Sequence, residues 1–126
     1  MAMWMAVSGA FATDPKQATI SVIIDYGDGA ELHLPALKWR RDLTVLGALQ
    51  ATSKHPHGVE FRSRGSGAYT LVTQIGDLKN EGAEDRGRNW IYRVNGKKAD
   101  VGVGAYELRP ADTILWRFER HDYNRR

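Results

Sequence analysis

Cysteine is absent from this 126-residue chain. That excludes a disulfide framework, an iron–sulfur cluster, a thiolate zinc site and a cysteine nucleophile, so stability has to come from packing and backbone pairing. The absence says nothing about redox compartment. Hydrolase signatures are missing too: there is no Gly-x-Ser-x-Gly, and the serines Ser63 and Ser66 fall in a glycine-rich turn with no helix behind them. No nucleophile, base and orienting group can be assembled from neighbouring segments, and the chain is expected not to be an enzyme. No apolar run is long enough to cross a bilayer. Proline is scarce, with four residues, so Pro35 and Pro56 are read as boundaries.

What is present is an ordinary globular composition, 42% hydrophobic and 26% charged. A chain of this length forms one domain and buries about 65% of its unfolded surface. Residues 1–12, Met1 to Ala12, are apolar and uncharged and end in Ala10-Phe11-Ala12, the small-x-small form of a signal-peptidase site. The segment reads as a signal-peptide remnant whose positive n-region would lie upstream of Met1, the alternative being an N-terminal arm. Residues 13–18 are read as an arm, 19–119 as the domain and 120–126 as a polar, frayed tail. Secretion, or residence in the periplasm or cell envelope, is the expectation from this pattern.

Alternation organises the chain from Thr19 onward. Ile20, Val22, Ile24 and Tyr26 share one face of a half-buried strand, Asp28-Gly29 supplies a turn favouring positive φ, and Glu31 to Leu34 alternates again before Pro35 ends the hairpin. Thr44 caps a short helix with Val45, Leu46, Ala48 and Leu49 on one side, and Pro56 forbids its continuation past His55. Strands are expected at Val59 to Ser63 and Tyr69 to Ile75, then a long polar surface loop from Gly76 to Asn89. Trp90, Tyr92 and Val94 share a strand face, Asn95-Gly96 signals a hairpin into Lys97 to Val101, Tyr106 to Leu108 is a short strand, and Thr113 to Glu119 is the last, carrying Ile114, Trp116 and Phe118. Hairpin, helix, then strands gives an α+β fold of β-grasp type: a mixed or antiparallel sheet with one short helix packed across it.

Candidate chemistry is sparse. His55-Pro56-His57 offers two imidazoles without a third ligand and reads as a helix-ending turn. Asp25, Asp28 and Glu31 are spaced loosely like calcium ligands but fit a charged hairpin better. Glu81, Glu84 and Asp85 face competition from Arg86 and Arg88. No metal site is assigned. Gly102-Val103-Gly104 resembles part of a phosphate cradle, but strand-like sequence comes after it where a helix would be needed, so it is read as a turn. Basic residues gather at Lys38-Trp39-Arg40-Arg41, at Arg62 and Arg64, and at Arg117, Arg120, Arg125 and Arg126, for a net charge of +3. The 15 interleaved acidic residues and the lack of any nucleic-acid motif argue against a nucleic-acid partner. Trp90, Tyr92, Trp116 and Phe118 read as core or cross-strand aromatics, whereas Trp39 and Tyr69 are the better candidates for an exposed contact surface.

In order, the blocks Ile24-Asp25-Tyr26-Gly27-Asp28-Gly29, Leu43 to Leu49, Gly67-Ala68-Tyr69 with Gly76 beyond it, Asn89-Trp90-Ile91-Tyr92-Arg93-Val94-Asn95-Gly96, Gly102 to Tyr106 and Asp112 to Trp116 resemble the C-terminal domain of transcobalamin and intrinsic factor and its stand-alone bacterial relatives. The likeness runs from Thr19 to Phe118, and its most specific part is Trp-x-Tyr-x-Val-Asn-Gly with a glycine-rich turn and a terminal Trp strand after it. The resemblance implies a β-grasp fold and export. It also implies a ligand surface at Tyr69, Thr70 and Leu71, at Trp90 and Tyr92, and at Gly102, Val103, Gly104 and Ala105. In the vitamin carriers that surface closes over one side of cobalamin, while a large helical domain, for which these residues leave no room, supplies the other. The expectation is therefore a non-catalytic module that binds a small molecule, with cobalamin as the suggested ligand and no other cofactor, acting with a partner or second subunit. The rival is an interaction or structural module of the cell envelope that presents a sheet edge or its basic surface to a protein partner.

Overall fold

In the computed structural model, which describes residues 18–84 and 86–120, the alternating segments become strands. The expected signal remnant, the arm up to residue 17, Asp85 and the tail beyond Arg120 lie outside the described residues. β1 (Thr19–Asp25) and β2 (Glu31–Lys38) form the hairpin, with Gly27 and Gly29 at φ of 81° and 97° in its turn. α1 spans Val45–Lys54. Next come β3 (Phe61–Arg64), β4 (Leu71–Ile75) and β5 (Leu78–Lys79), then β6 (Arg88–Val94), β7 (Lys97–Lys98) and β8 (Thr113–Arg120).

The strands form two sheets where one was expected: β2-β1-β8-β6-β7, and an antiparallel β3-β4-β5. β8 runs parallel to β1 and antiparallel to β6. With the hairpin and helix preceding it, this gives the β-grasp arrangement in an α+β fold with one short helix. α1 packs against β1, β2 and β3. Beneath it lie Ile20, Val22 and Ile24 of β1 with Ile114, Trp116 and Phe118 of β8; Val45, Ala48 and Leu49 cover them from the helix, and Val72 and Ile75 from β4. Leu46, expected on the same helix face, is only half-buried.

Local physics sets the boundaries. Thr44 Oγ1 accepts from the Gly47 amide at 3.0 Å, the N-cap the sequence implied, and Pro56 stops the helix at its His55 cap. Thr52, fully buried, satisfies its hydroxyl on the Ala48 carbonyl at 2.9 Å. Pro35 does not end β2. That strand is the edge of its sheet, and the register slips between Ile20 and Val22 so that Pro35 and Ala36 fall at a bulge where the missing N–H costs no ladder bond. Asn95 and Gly96 adopt φ of 53° and 87°, and the Asn95 side chain also ties Asp112 (2.8 Å) and the Thr113 amide (2.9 Å) to the turn.

Several expected elements are corrected. The strand expected at Val59 begins at Phe61 and runs to Arg64. Tyr69 lies in a 3-10 turn, Gly67–Tyr69, and the strand starts at Leu71. The polar stretch 76–89 is not all loop, because Leu78–Lys79 pairs back on β4 and β6 begins at Arg88. β7 stops at Lys98, and the expected Tyr106 to Leu108 strand reduces to one bridge between Thr44 and Glu107. Arg120, assigned to the tail, ends β8 opposite Arg88. Trp39 is half-buried, packed on the core with its Nε1 donating to the Leu108 carbonyl at 2.9 Å, and is not a free contact surface.

Asp25 joins β1 to β8. Burial favours its neutral form, but the Gly27 amide (2.9 Å) and the Arg117 guanidinium (2.9 Å) outweigh that and hold its carboxyl below the ordinary range. A depressed folded-state pKa stabilises above the unfolded value and loses that stabilisation as pH falls. Arg117→Gln is accordingly expected to flatten the loss of stability below about pH 4, read from urea melts across pH, relative to the parent chain.

Candidate ligand site

Two loops meet beside β6, and glycine is what lets them meet. A Cβ on Gly102 would stand 2.7 Å from the Ala68 carbonyl oxygen, and one on Gly104 would overlap the Gly67 carbonyl. Neither glycine needs positive φ here; what they supply is close approach of one backbone to another. The Ala105 amide donates to the Gly102 carbonyl at 3.0 Å, making the segment a turn, as the sequence indicated.

The same turn seals the start of α1. Leu46 N donates to the Val103 carbonyl (2.9 Å) and Val45 N to that of Tyr106 (3.0 Å), while Leu108 N reaches back to the Leu43 carbonyl (2.7 Å). Among the described residues no helix follows Gly102-Val103-Gly104, so the helix N-terminus a phosphate cradle needs is missing there.

Thr70, Leu71, Trp90, Tyr92, Gly102 and Val103 line one cavity of about 310 Å³, with Trp116 also in its wall and Lys98 and Ala99 contributing from β7 and beyond. These are residues the family resemblance singled out. Tyr69, Gly104 and Ala105, singled out with them, do not line it: Tyr69 stands outside in the 3-10 turn, and Gly104 and Ala105 hold the two loops together or face another depression. The residues that sequence reasoning missed are Val72, Ile91, Lys98, Ala99 and Trp116. Of these, Trp116 and Ile91 were visible as strand residues, but their adjacency depends on register, which pairs Tyr92 with Trp116 and Ile91 with Arg117.

The wall is aromatic and firmly held. Tyr92 packs on Trp116 (centroids 5.4 Å apart) and edge-on to Tyr106 (6.2 Å), and Trp90 lies between Tyr26 (5.9 Å) and Phe118 (5.2 Å). Trp90 Nε1 donates to the Leu78 carbonyl at 2.8 Å, and Tyr92 donates its hydroxyl to the Val101 carbonyl at 2.6 Å. Burial, with Tyr106 alongside, pushes the Tyr92 hydroxyl up to about 12, so it remains a donor at neutral pH. The large hydrophobics left exposed among the described residues are Tyr69 (88%), Leu71 (46%) and Val101 (49%). All three belong to, or directly adjoin, the segments that form the cavity.

Other candidates are accounted for differently. Asp28 caps the Ala30 amide (3.0 Å) and Glu31 pairs with His33 (2.7 Å), so the hairpin carboxylates are internally occupied. Glu81 accepts from both the amide and the guanidinium of Arg88, the competition expected of that loop. The His55 ring accepts from the His57 amide at 3.0 Å, as suits a turn. Among the described residues there is no cluster of three or more potential metal ligands, and no helix long and apolar enough to cross a membrane.

The family model described as a domain of unknown function, DUF4430, matches residues 42–120, more than half of the chain, and the chain belongs to that family. Among solved structures, a Ruminococcus gnavus ATCC 29149 protein provisionally described as metal binding is similar at TM-score 0.61 and 11% identity, over 83% of this chain and 99% of the other. Haptocorrin, solved in complex with Cbi, is similar at TM-score 0.64 and 19% identity, over 84% of this chain but only 26% of haptocorrin. At these identities the likeness is one of fold, and the chain spans about a quarter of haptocorrin's length. No curated protein sequence matches the chain.

The glycine contact predicts a specific sensitivity. Gly104→Ala should force the two loops apart and lower unfolding free energy by about 1–3 kcal/mol in chemical denaturation, whereas Gly96→Ala, which meets no neighbouring atom, should cost less and only through its positive φ.

Proposed function

We propose that this chain is an exported, non-catalytic module that holds a small molecule of corrinoid type at the cavity beside Trp90 and Tyr92, together with a second protein surface. The observation that carries the proposal is convergence: segments far apart in sequence, Thr70-Leu71, Trp90 to Tyr92 and Gly102-Val103, form one aromatic-walled cavity. Among them, Thr70, Leu71, Trp90, Tyr92, Gly102 and Val103 are positions that the resemblance to the vitamin carriers' C-terminal domain marks as ligand-facing, while Tyr69, Gly104 and Ala105, marked with them, do not line the cavity. The fold shared with haptocorrin, whose structure contains Cbi, supports the same choice of ligand class. Export rests on the Ala10-Phe11-Ala12 pattern, and the binding unit is taken as residues 19–119.

The need for a second surface arises from size. A cavity of about 310 Å³ is at the small end of ligand pockets, and a macrocycle resting in it would leave much of its area in water. Tyr69, Leu71 and Val101, exposed around the cavity segments, are the apolar surface that a partner or second subunit would cover. The rival reading, an envelope interaction module, draws on the same exposed residues, with the protein contact itself as the function.

Titration with cobinamide and with cobalamin, monitored by calorimetry and visible absorption, tests the ligand. Binding should be detectable at micromolar concentrations and weaken roughly tenfold in Leu71→Glu, which removes apolar contact at an exposed site without disturbing the core. No heat and no spectral change at high micromolar ligand would remove the corrinoid reading, and equal binding by Leu71→Glu would move the site elsewhere.

A further inference from the structure

A second, larger depression adjoins the cavity across Leu71, Trp90 and Ile91. It measures about 760 Å³ and runs along β3 and β4 to the connection between β5 and β6. Three cations line it: Arg62 and Arg64 from β3 and Lys79 from β5.

What sets Arg62, Arg64 and Lys79 apart is that all three line one depression, since Lys38, Lys97, Lys98 and Arg120 on other strands also stand in no ion pair among the described residues. Elsewhere on the strands, Arg88 pairs with Glu81 (3.2 Å) and Arg117 with Asp25 (2.9 Å). Arg93 stands 2.7 Å from Glu119, in ionic contact although not aligned as a hydrogen bond. Among the described residues, no ion pair involves Arg62, Arg64 or Lys79. The one carboxylate among the described lining residues, Glu81, is already committed to Arg88 through two hydrogen bonds. Gathering three like charges around a concave surface whose one described carboxylate is already paired with another cation raises the local potential and favours an anion there.

The floor of the depression is fixed. Asn80 donates to the Val72 carbonyl (3.0 Å) and accepts from the Trp90 amide (2.8 Å); Asn89 both donates to and accepts from Gly82 (2.8 and 3.0 Å). Thr73 donates to the Arg62 carbonyl at 3.2 Å. These side chains are spent on holding the backbone, so recognition falls to the cations, and two guanidiniums suit the paired oxygens of a phosphate or carboxylate.

We propose that this groove is an oxyanion site, with Arg62, Arg64 and Lys79 binding the phosphate or carboxylate group of a small molecule. It stands on the groove's own charge and shape and does not depend on what fills the neighbouring cavity.

The test uses the full chain and three probes, each monitored by amide chemical shifts: pyrophosphate, citrate and a single-stranded DNA 12-mer. Pyrophosphate or citrate should move the amides around residues 62–64, 73–74 and 79–82, and which of them binds more tightly identifies the group. Arg62→Gln with Arg64→Gln should weaken that binding roughly tenfold, Lys79→Gln alone should weaken it less, and Lys38→Gln, the same single-charge change as Lys79→Gln but on the β2 edge, should leave it unchanged. The proposal is overturned if neither small anion shifts those amides, if Lys38→Gln weakens binding as much as the double variant, or if only the oligonucleotide binds. Corrinoid titration is a separate readout, because Tyr92 and Trp116 line the cavity and not the groove, whereas Arg62, Arg64 and Lys79 line the groove and not the cavity.

Discussion

The structure depends on the pairing of its first strand with its last. β8 lies in the middle of the five-stranded sheet, parallel to β1 on one side and antiparallel to β6 on the other, and its Ile114, Trp116 and Phe118 are buried. A parallel pair cannot be closed by a tight turn, so everything between Asp25 and Thr113 serves as the crossover. That crossover contains α1, which covers the sheet, and the small second sheet, which adds Val72 and Ile75 to the same core. The Asp25–Arg117 ion pair sits on this junction, and the backbone bond from Ser21 N to the Asp112 carbonyl (3.0 Å) marks where β8 enters it.

The site is a consequence of that geometry. Because β6 lies against β8, Tyr92 falls opposite Trp116 and Trp90 opposite Phe118, and the aromatic wall is built by register. The Gly102 to Ala105 turn is pulled in from the other direction by its bonds to the start of α1, and the absence of side chains on Gly102 and Gly104 lets it touch the 67–68 backbone. Trp90 fastens the second sheet to the first through its bond to the Leu78 carbonyl, and its ring also lines both depressions. What results is a pair of adjoining surfaces, one aromatic and one cationic.

Features encoded locally were legible in the sequence. The alternation of Ile20, Val22 and Ile24, the Thr44 cap and the Asn95-Gly96 turn each express their physics within a few residues, and each appears in the fold. Features that depend on a distant neighbour were not. Pro35 can remain inside β2 only because that strand is an edge with a bulge. Leu78–Lys79 is too short for any period to be seen, and the burial of Trp39 depends on a carbonyl at Leu108. In the candidate site, the family resemblance reached most of the lining from sequence, but Tyr69, Gly104 and Ala105 turned out to border or brace the cavity. Arg62 and Arg64 were conspicuous as basic residues; their grouping with Lys79 required the β3-β4-β5 pairing.

The central claim is that the two loops and the aromatic strand act as one ligand-holding surface. Amide hydrogen exchange with and without saturating cobinamide tests it most directly, since it reports each segment separately. Added protection is expected together at residues 70–72, 90–92 and 101–104, with little change along the β1–β2 hairpin. Protection confined to the hairpin, or to only one of the three segments, would contradict it.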